Sequence, residues 1–179
     1  MSTTTTIISE LERLANAMAA DSEESAEITL PSVAARIAKS VGVRADEVAI
    51  LAVSNKFRRL NFLAPEALIK VGNIPLTSTS ALAARTVREK RAEIDNQFAE
   101  ARHARVFEGV KIGGESAEAI QKIISVPIQA DGEVLGVIQI SRKGPSVGMS
   151  GPDFTSEDIV NVQALCVPLA HILQLALQE

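Results

Sequence analysis

Ile123-Ile-Ser-Val-Pro-Ile-Gln-Ala130, Asp131-Gly132 and Glu133-Val-Leu-Gly-Val-Ile-Gln-Ile140 follow one another without a break and carry the strongest structural signal in the chain. Two apolar, β-branched runs flank an Asp-Gly pair, which supplies the positive φ angles that a two-residue type I′ turn demands. The stretch is therefore a β-hairpin. Pairing Ala130 with Glu133 sets the expected register. Ile124, Val126, Ile128, Leu135 and Val137 then fall on one face, and Val134, Ile138 and Ile140 on the other. Apolar residues on both faces require cover on both sides of the sheet. Pro127 has no N–H to give, so its nitrogen is expected to point away from the partner strand or to meet a bulge.

Downstream, Lys143 to Pro152 holds Gly144, Pro145, Gly148, Gly151 and Pro152 and reads as a loop. Phe154-Thr-Ser-Glu-Asp158 opens a last helix. Thr155 and Asp158 fit the capping-box pattern, and Phe154 is placed to staple against Ile159. Ile159, Val162, Leu165 or Cys166, Leu169 and Ile172 or Leu173 form its apolar stripe. Pro168 removes the backbone bond to Ala164 and is expected to kink the helix, at a cost of about 3 kcal/mol.

Upstream, Ile8, Leu11, Ala15 and Met18 recur at helical spacing as a narrow stripe. An acidic break follows at Asp21-Ser-Glu-Glu-Ser. A second helix opens near Thr29 or Pro31, presents Val33, Ile37 and Val41, and stops at Gly42. Val48 to Val53 reads as a buried strand. A turn near Asn55-Lys56 leads to a second strand with Phe57, Leu60, Phe62 and Leu63, limited by Pro65. After Pro75, Thr77-Ser-Thr-Ser80 precedes a helix with Leu82 and Thr86 or Val87, and Thr79 or a neighbouring hydroxyl is the expected N-cap. Ala92 to Asp95 reads as a short strand, residues 97–108 as a helix or ordered loop, and Gly113-Gly114 as a loop.

Val-Pro-Ile, the Asp-Gly turn, Val134-Leu-Gly-Val-Ile-Gln-Ile140 and the correctly spaced Phe154-Thr-Ser-Glu-Asp-Ile159 together resemble the GAF family of regulatory domains. The likeness is specific over about residues 123–178 and merely compatible in element order over 30–122. It implies an α+β fold of the profilin-like, PAS-related kind: a central antiparallel sheet of about six strands with helices on both faces. It also implies a small-molecule pocket under a roof of loops and helices, and dimerisation through the terminal helices. On this division, residues 1–28 are an N-terminal helical extension that helps a homodimer form, and residues 29–179 are the domain.

Composition narrows the chemistry. Five Phe, no Trp and no Tyr leave little to build a ring-stacking site. A net charge of −4 argues against nucleic acid as a partner. The first thirty residues carry Glu10, Glu12, Asp21, Glu23, Glu24 and Glu27 against Arg13 alone. One cysteine, Cys166, excludes an internal disulfide and a thiolate cluster, and among Leu165, Val167 and Leu169 it reads as a buried inert thiol. Methionine-sulfoxide reductases of this fold depend on several cysteines, and a bilin needs one at the pocket, so neither chemistry is expected. Asn55-Lys56-Phe57 echoes a cyclic-nucleotide pattern but lacks its acidic pair. His103 and His171 are too few for haem or a metal centre. No stretch approaches the roughly 18 apolar residues of a membrane span, and nothing resembles a signal peptide, so a cytoplasmic protein without a membrane partner is expected.

The candidate ligand residues are Thr77, Ser78, Thr79 and Ser80, whose hydroxyls and helix-start N–H groups favour an anion, with Arg85, Arg102, His103 and Arg105 able to close over it. Ordinary capping explains the same residues and is the preferred reading. No spacing sets a nucleophile beside a base, and no phosphate loop follows a strand, so the chain is expected not to be an enzyme. The ligand is unassigned, and a protein partner is an alternative reader of the same fold.

Overall fold

A computed structural model describes residues 3–70, 72–100 and 119–177. Six strands form one sheet in the order β3-β2-β1-β6-β5-β4. They are β1 (Val48–Ser54), β2 (Arg59–Ala64), β3 (Asn73–Pro75), β4 (Glu93–Asp95), β5 (Ala119–Ala130) and β6 (Glu133–Gly144), every neighbouring pair antiparallel. Helices α1 (Thr3–Ala19), α2 (Leu30–Val41) and α5 (Ser156–Ala176) cover one face. Helices α3 (Glu66–Ile69) and α4 (Leu82–Glu89) lie on the other. This is the α+β architecture expected from the sequence.

The hairpin forms as read, with Asp131 at φ 54° and Gly132 at φ 80°. Its register does not run straight. Ala130 faces Glu133 and Gln129 faces Val134, but Ile128 faces Gly136, so Leu135 is an extra residue without a partner. Beyond this bulge Val126 pairs with Ile138 and Ile124 with Ile140. The expected sorting of side chains is thus corrected. Ile138 and Ile140 join Ile124, Val126 and Ile128 under the helices, while Val137 turns to the α3–α4 side. The physical reason is Gln139. A straight ladder would press its amide into the apolar layer beneath the helices, whereas the bulge sends it to the opposite face, where it has a polar partner.

Gly136 shows how tightly this register is held. A Cβ there would lie 2.2 Å from the carbonyl oxygen of Leu51 and 3.2 Å from Leu173 Cδ1. Only glycine lets β1 and β6 approach at that point under α5.

The α1 stripe is wider than expected, with Ile7 and Leu14 added to it, and is used within the chain. Ile7, Leu11, Leu14 and Ala15 are buried, and α1 packs chiefly against α5. In α2, Thr29 and Ser32 exchange the two bonds of a capping box, and Gly42 closes the helix at φ 77°. Thr155 and Asp158 do the same for α5. Phe154 is buried beside Ile159, and the helix runs on through Pro168. By length and composition α5 could cross a membrane, contrary to the sequence expectation. However, its Val162, Leu165, Leu169, Ile172 and Leu173 are buried in the core beneath the sheet and beside α1.

Three further readings change. Phe57 lies in the turn before β2 and is exposed. Strand β6 continues to Gly144, through the start of the expected loop. At α4 the N-cap is Ala81, and the hydroxyl that helps is that of Ser78, which accepts from Ala81 N–H at 3.1 Å; Thr79 is exposed. The expected Gly113-Gly114 loop lies outside the described residues.

Gly136→Ala is expected to destabilise the domain by about 1–3 kcal/mol, because backbone must move to admit one methyl group. Urea unfolding measures this. A loss under about 0.5 kcal/mol, the scale of a neutral surface change, would show that β1 and β6 are not so closely apposed.

Candidate functional site

A sheet face covered by a helix is expected to be apolar, and part of the face under α4 is. Ala49, Leu51, Leu60, Phe62 and Val137 meet Leu68, Ile74, Ala83 and Ala84 there. Beside this patch the register lines up Glu93 of β4, Ser125 of β5 and Gln139 of β6 in one row. Ser125 is 0% exposed and Gln139 2%. Thr86, on the buried side of α4, sits over them.

Their hydrogen bonds have a single consistent direction. Thr86 donates its one hydroxyl hydrogen to Leu82 O at 2.9 Å. The 2.7 Å contact between Thr86 and Ser125 must therefore be donated by Ser125. Gln139 Nε2 in turn donates to Ser125 Oγ at 3.1 Å. The amide orientation follows from this chain, and it leaves Gln139 Oε1 as a buried acceptor with no partner among the described residues. Such an atom costs about 1–3 kcal/mol if nothing meets it.

Arg85 lies next to Thr86 on α4 and pairs with Glu93, which faces Ser125 across the β4–β5 ladder. Its Nε is also buried without a partner among the described residues. The same row therefore presents one spare acceptor and one spare donor. Arg85 was a sequence-predicted ligand residue, and the structure places it at this row. Ser78 and Ser80 are half-buried in the turn before α4, with Thr77 and Thr79 exposed. Arg88 ties this turn to the other end of the helix by donating to Leu76 O at 2.8 Å and Ser78 O at 2.7 Å. Arg102, His103 and Arg105, and most of the 97–108 stretch, lie outside the described residues. Sequence reasoning missed Gln139, Ser125 and Thr86. The available signal was a lone polar residue inside each apolar strand, Ser125 between Ile124 and Val126 and Gln139 between Ile138 and Ile140.

Elsewhere, an open cleft of ≈ 220 Å³ lies between β5 and α5, and Cys166 is among its lining residues. Burial pushes the Cys166 thiol up to about 12. Thiolate is the reactive form, so this cysteine is inert at neutral pH. Among the described residues no group of three or more His, Cys, Asp or Glu side chains is placed to hold a metal ion. His171 is exposed on α5.

With this geometry in view, comparison with known proteins gives a family. A family profile described as a GAF domain matches residues 23–174. The GAF domain of an Acinetobacter phosphoenolpyruvate-protein phosphotransferase is similar at 16% identity and a TM-score of 0.66, covering 97% of this chain and 92% of that one. A free methionine-R-sulfoxide reductase from Neisseria meningitidis, in complex with its substrate, is similar at 16% identity and a TM-score of 0.60, covering 94% and 88%. A methyl-accepting chemotaxis protein segment, residues 122 to 287, follows at 13% and 0.59, covering 83% and 92%. No curated protein sequence matches the chain. At such identities the structures share the fold.

Two outcomes test the site. Ser125→Ala removes the middle of the chain and strands the Gln139 amide N–H, so a loss of about 1–3 kcal/mol is expected on urea unfolding. A variant as stable as the parent would mean that the row is not ordered as described. For Cys166, the folded state holds its thiol proton up to about 12 against an ordinary value of 9.0. The unfolded chain loses that proton first, so stability is unchanged below pH 8 and falls as pH rises from 9 towards 12. Iodoacetamide at pH 8 should label Cys166 only after unfolding, and rapid labelling of the folded protein would contradict its burial.

Proposed function

Because the chain belongs to the GAF domain family, we propose that it is a non-catalytic regulatory domain that senses a small molecule on the sheet face beneath α4. The observation that carries the reading is Gln139 Oε1, a fully buried acceptor held in a fixed direction by the Ser125–Thr86 chain. Natural cores rarely leave such an atom unmet, and a ligand N–H or O–H donor in that position removes its cost. Arg85 Nε supplies the complementary donor, so a ligand with both a donor and an acceptor oxygen fits the row best. Thr77 to Ser80 bound the same helix and are the next residues proposed to feel the ligand, with Arg102, His103 and Arg105.

A non-catalytic role fits the cysteine chemistry. One structural relative is a methionine sulfoxide reductase, but the single thiol here is buried on α5 and stays protonated. A cytoplasmic setting fits that unpaired thiol too. We further propose that copies pair through α5. Its outer face presents Val160, Gln163, Val167, His171 and Gln174, with Val160 62% and Val167 74% exposed. No Lys, Arg, Asp or Glu occurs between Asp158 and Glu179, so two copies can meet there without like-charge repulsion.

A second reading has an observation of its own. Leu82, Phe98, Ile120 and Ile123 form a small apolar cluster on the same face, filling part of it with the protein's side chains. On that reading the domain docks or dimerises and binds no ligand. Native mass spectrometry of freshly purified protein, repeated after denaturation, separates the two. The sensor reading expects a mass excess that disappears on denaturation and is absent from Gln139→Leu. A parent protein without excess, whose melting temperature Gln139→Leu raises, favours the interaction module, because an apolar side chain then suits the site better than the amide.

A further inference from the structure

The β1–β2 turn keeps an aromatic ring in water among cations, and the sheet-face site makes no use of it. Phe57 is 59% exposed. Lys56 Nζ stands 5.3 Å from its ring centroid and the Arg59 guanidinium 4.8 Å. Arg58 between them is held at φ 51°, a left-handed conformation that fixes the turn. None of Lys56, Arg58 and Arg59 has a carboxylate partner among the described residues.

Pairing of β1 with both β2 and β6 brings the Asp131-Gly132 turn to the same end of the sheet. The end of α4 arrives there as well: Lys90 Nζ donates to Gly132 O, and Arg88 donates to the carbonyl of Leu76, whose own N–H donates to Arg58 O. Arg88, Lys90 and Arg91 therefore share this end with the tip, and the acids among them are Glu89, Asp131 and Glu133. The end is net positive in a chain of net charge −4. Arg91 pairs with Glu89, while Arg88 and Lys90 are held by backbone carbonyls that leave their charge in place, so both add to the positive field around the tip.

We propose that the Lys56-Phe57-Arg58-Arg59 tip is a docking point for an acidic protein segment that lays an apolar side chain on the Phe57 ring. Phenylalanine and arginine are both enriched at protein interfaces relative to the rest of the surface. Covering the ring also strengthens the two cation contacts, which are worth more once water is removed. A lipid surface fits less well. The six cations at this end would suffice in number for anionic lipid, but Glu89, Asp131 and Glu133 are mixed among them and would meet the same bilayer. A protein segment can place its carboxylates against Lys56, Arg58 and Arg59 alone, which have no carboxylate partner among the described residues.

The probe is the peptide acetyl-Glu-Glu-Leu-Glu-Glu-Leu-Glu-Glu-amide, titrated into the full chain and followed by amide NMR shifts. Shifts centred on residues 54–60 are expected, weakened about tenfold by Phe57→Ala and by Arg58→Glu. The same peptide with Gln for Glu should be inert, and Gln139→Leu should bind as the parent does, so this result is independent of the sensor reading. Absence of shifts at millimolar peptide overturns the proposal. So do shifts that both tip variants retain, shifts seen only with phosphatidylserine vesicles, and shifts that come from protein concentration alone and so report a second copy.

Discussion

Leu135 has no partner across the β5–β6 ladder, and the faces of the sheet depend on that extra residue. With it, Ile138 and Ile140 lie among the helices, Val137 lies beneath α4, and Gln139 reaches Ser125. Without it every one of these side chains would change sides, since strand side chains alternate with a period of two. The bulge also brings Gly136 to the place where the Leu51 carbonyl leaves no room for a Cβ. Sheet closure, core composition and the polar row are thus consequences of one local insertion.

The polar row joins this local feature to the proposed ligand site. Thr86 belongs to α4, Ser125 to β5 and Gln139 to β6, so their hydrogen bonds fasten the helix to the sheet. Anything that binds Gln139 acts on one end of a chain whose other end is the first turn of α4. The opposite face of the same strands carries α5, packed against β5, β6 and α1. A ligand at the row and a partner at α5 would therefore meet through two strands rather than through a long path.

Much of the fold was legible because its signals are short-range. The Asp-Gly turn, the Thr155–Asp158 capping box and the Gly42 helix stop each act over a few residues, and all three form as read. The bulge was not legible, since nothing within β6 alone shows that Leu135 loses its partner. Only the conflict between a buried glutamine and an apolar face gives it away, and that needs the third dimension. The site was partly legible. Arg85 lies at the row, but Ser125 and Gln139 look like interruptions in apolar strands until the register sets them side by side. Phe57 was read as a strand residue because its hydrophobicity says nothing of the turn chemistry at Asn55 to Arg58.

The central claim is that Gln139 Oε1 faces a bound small molecule. A high-resolution crystal structure of the protein as purified tests it most directly. The account predicts a ligand donor atom about 2.7–3.2 Å from Gln139 Oε1, with Ser125 and Thr86 bonded as described. Finding that oxygen satisfied instead by water alone or by one of the chain's own donors would contradict the account.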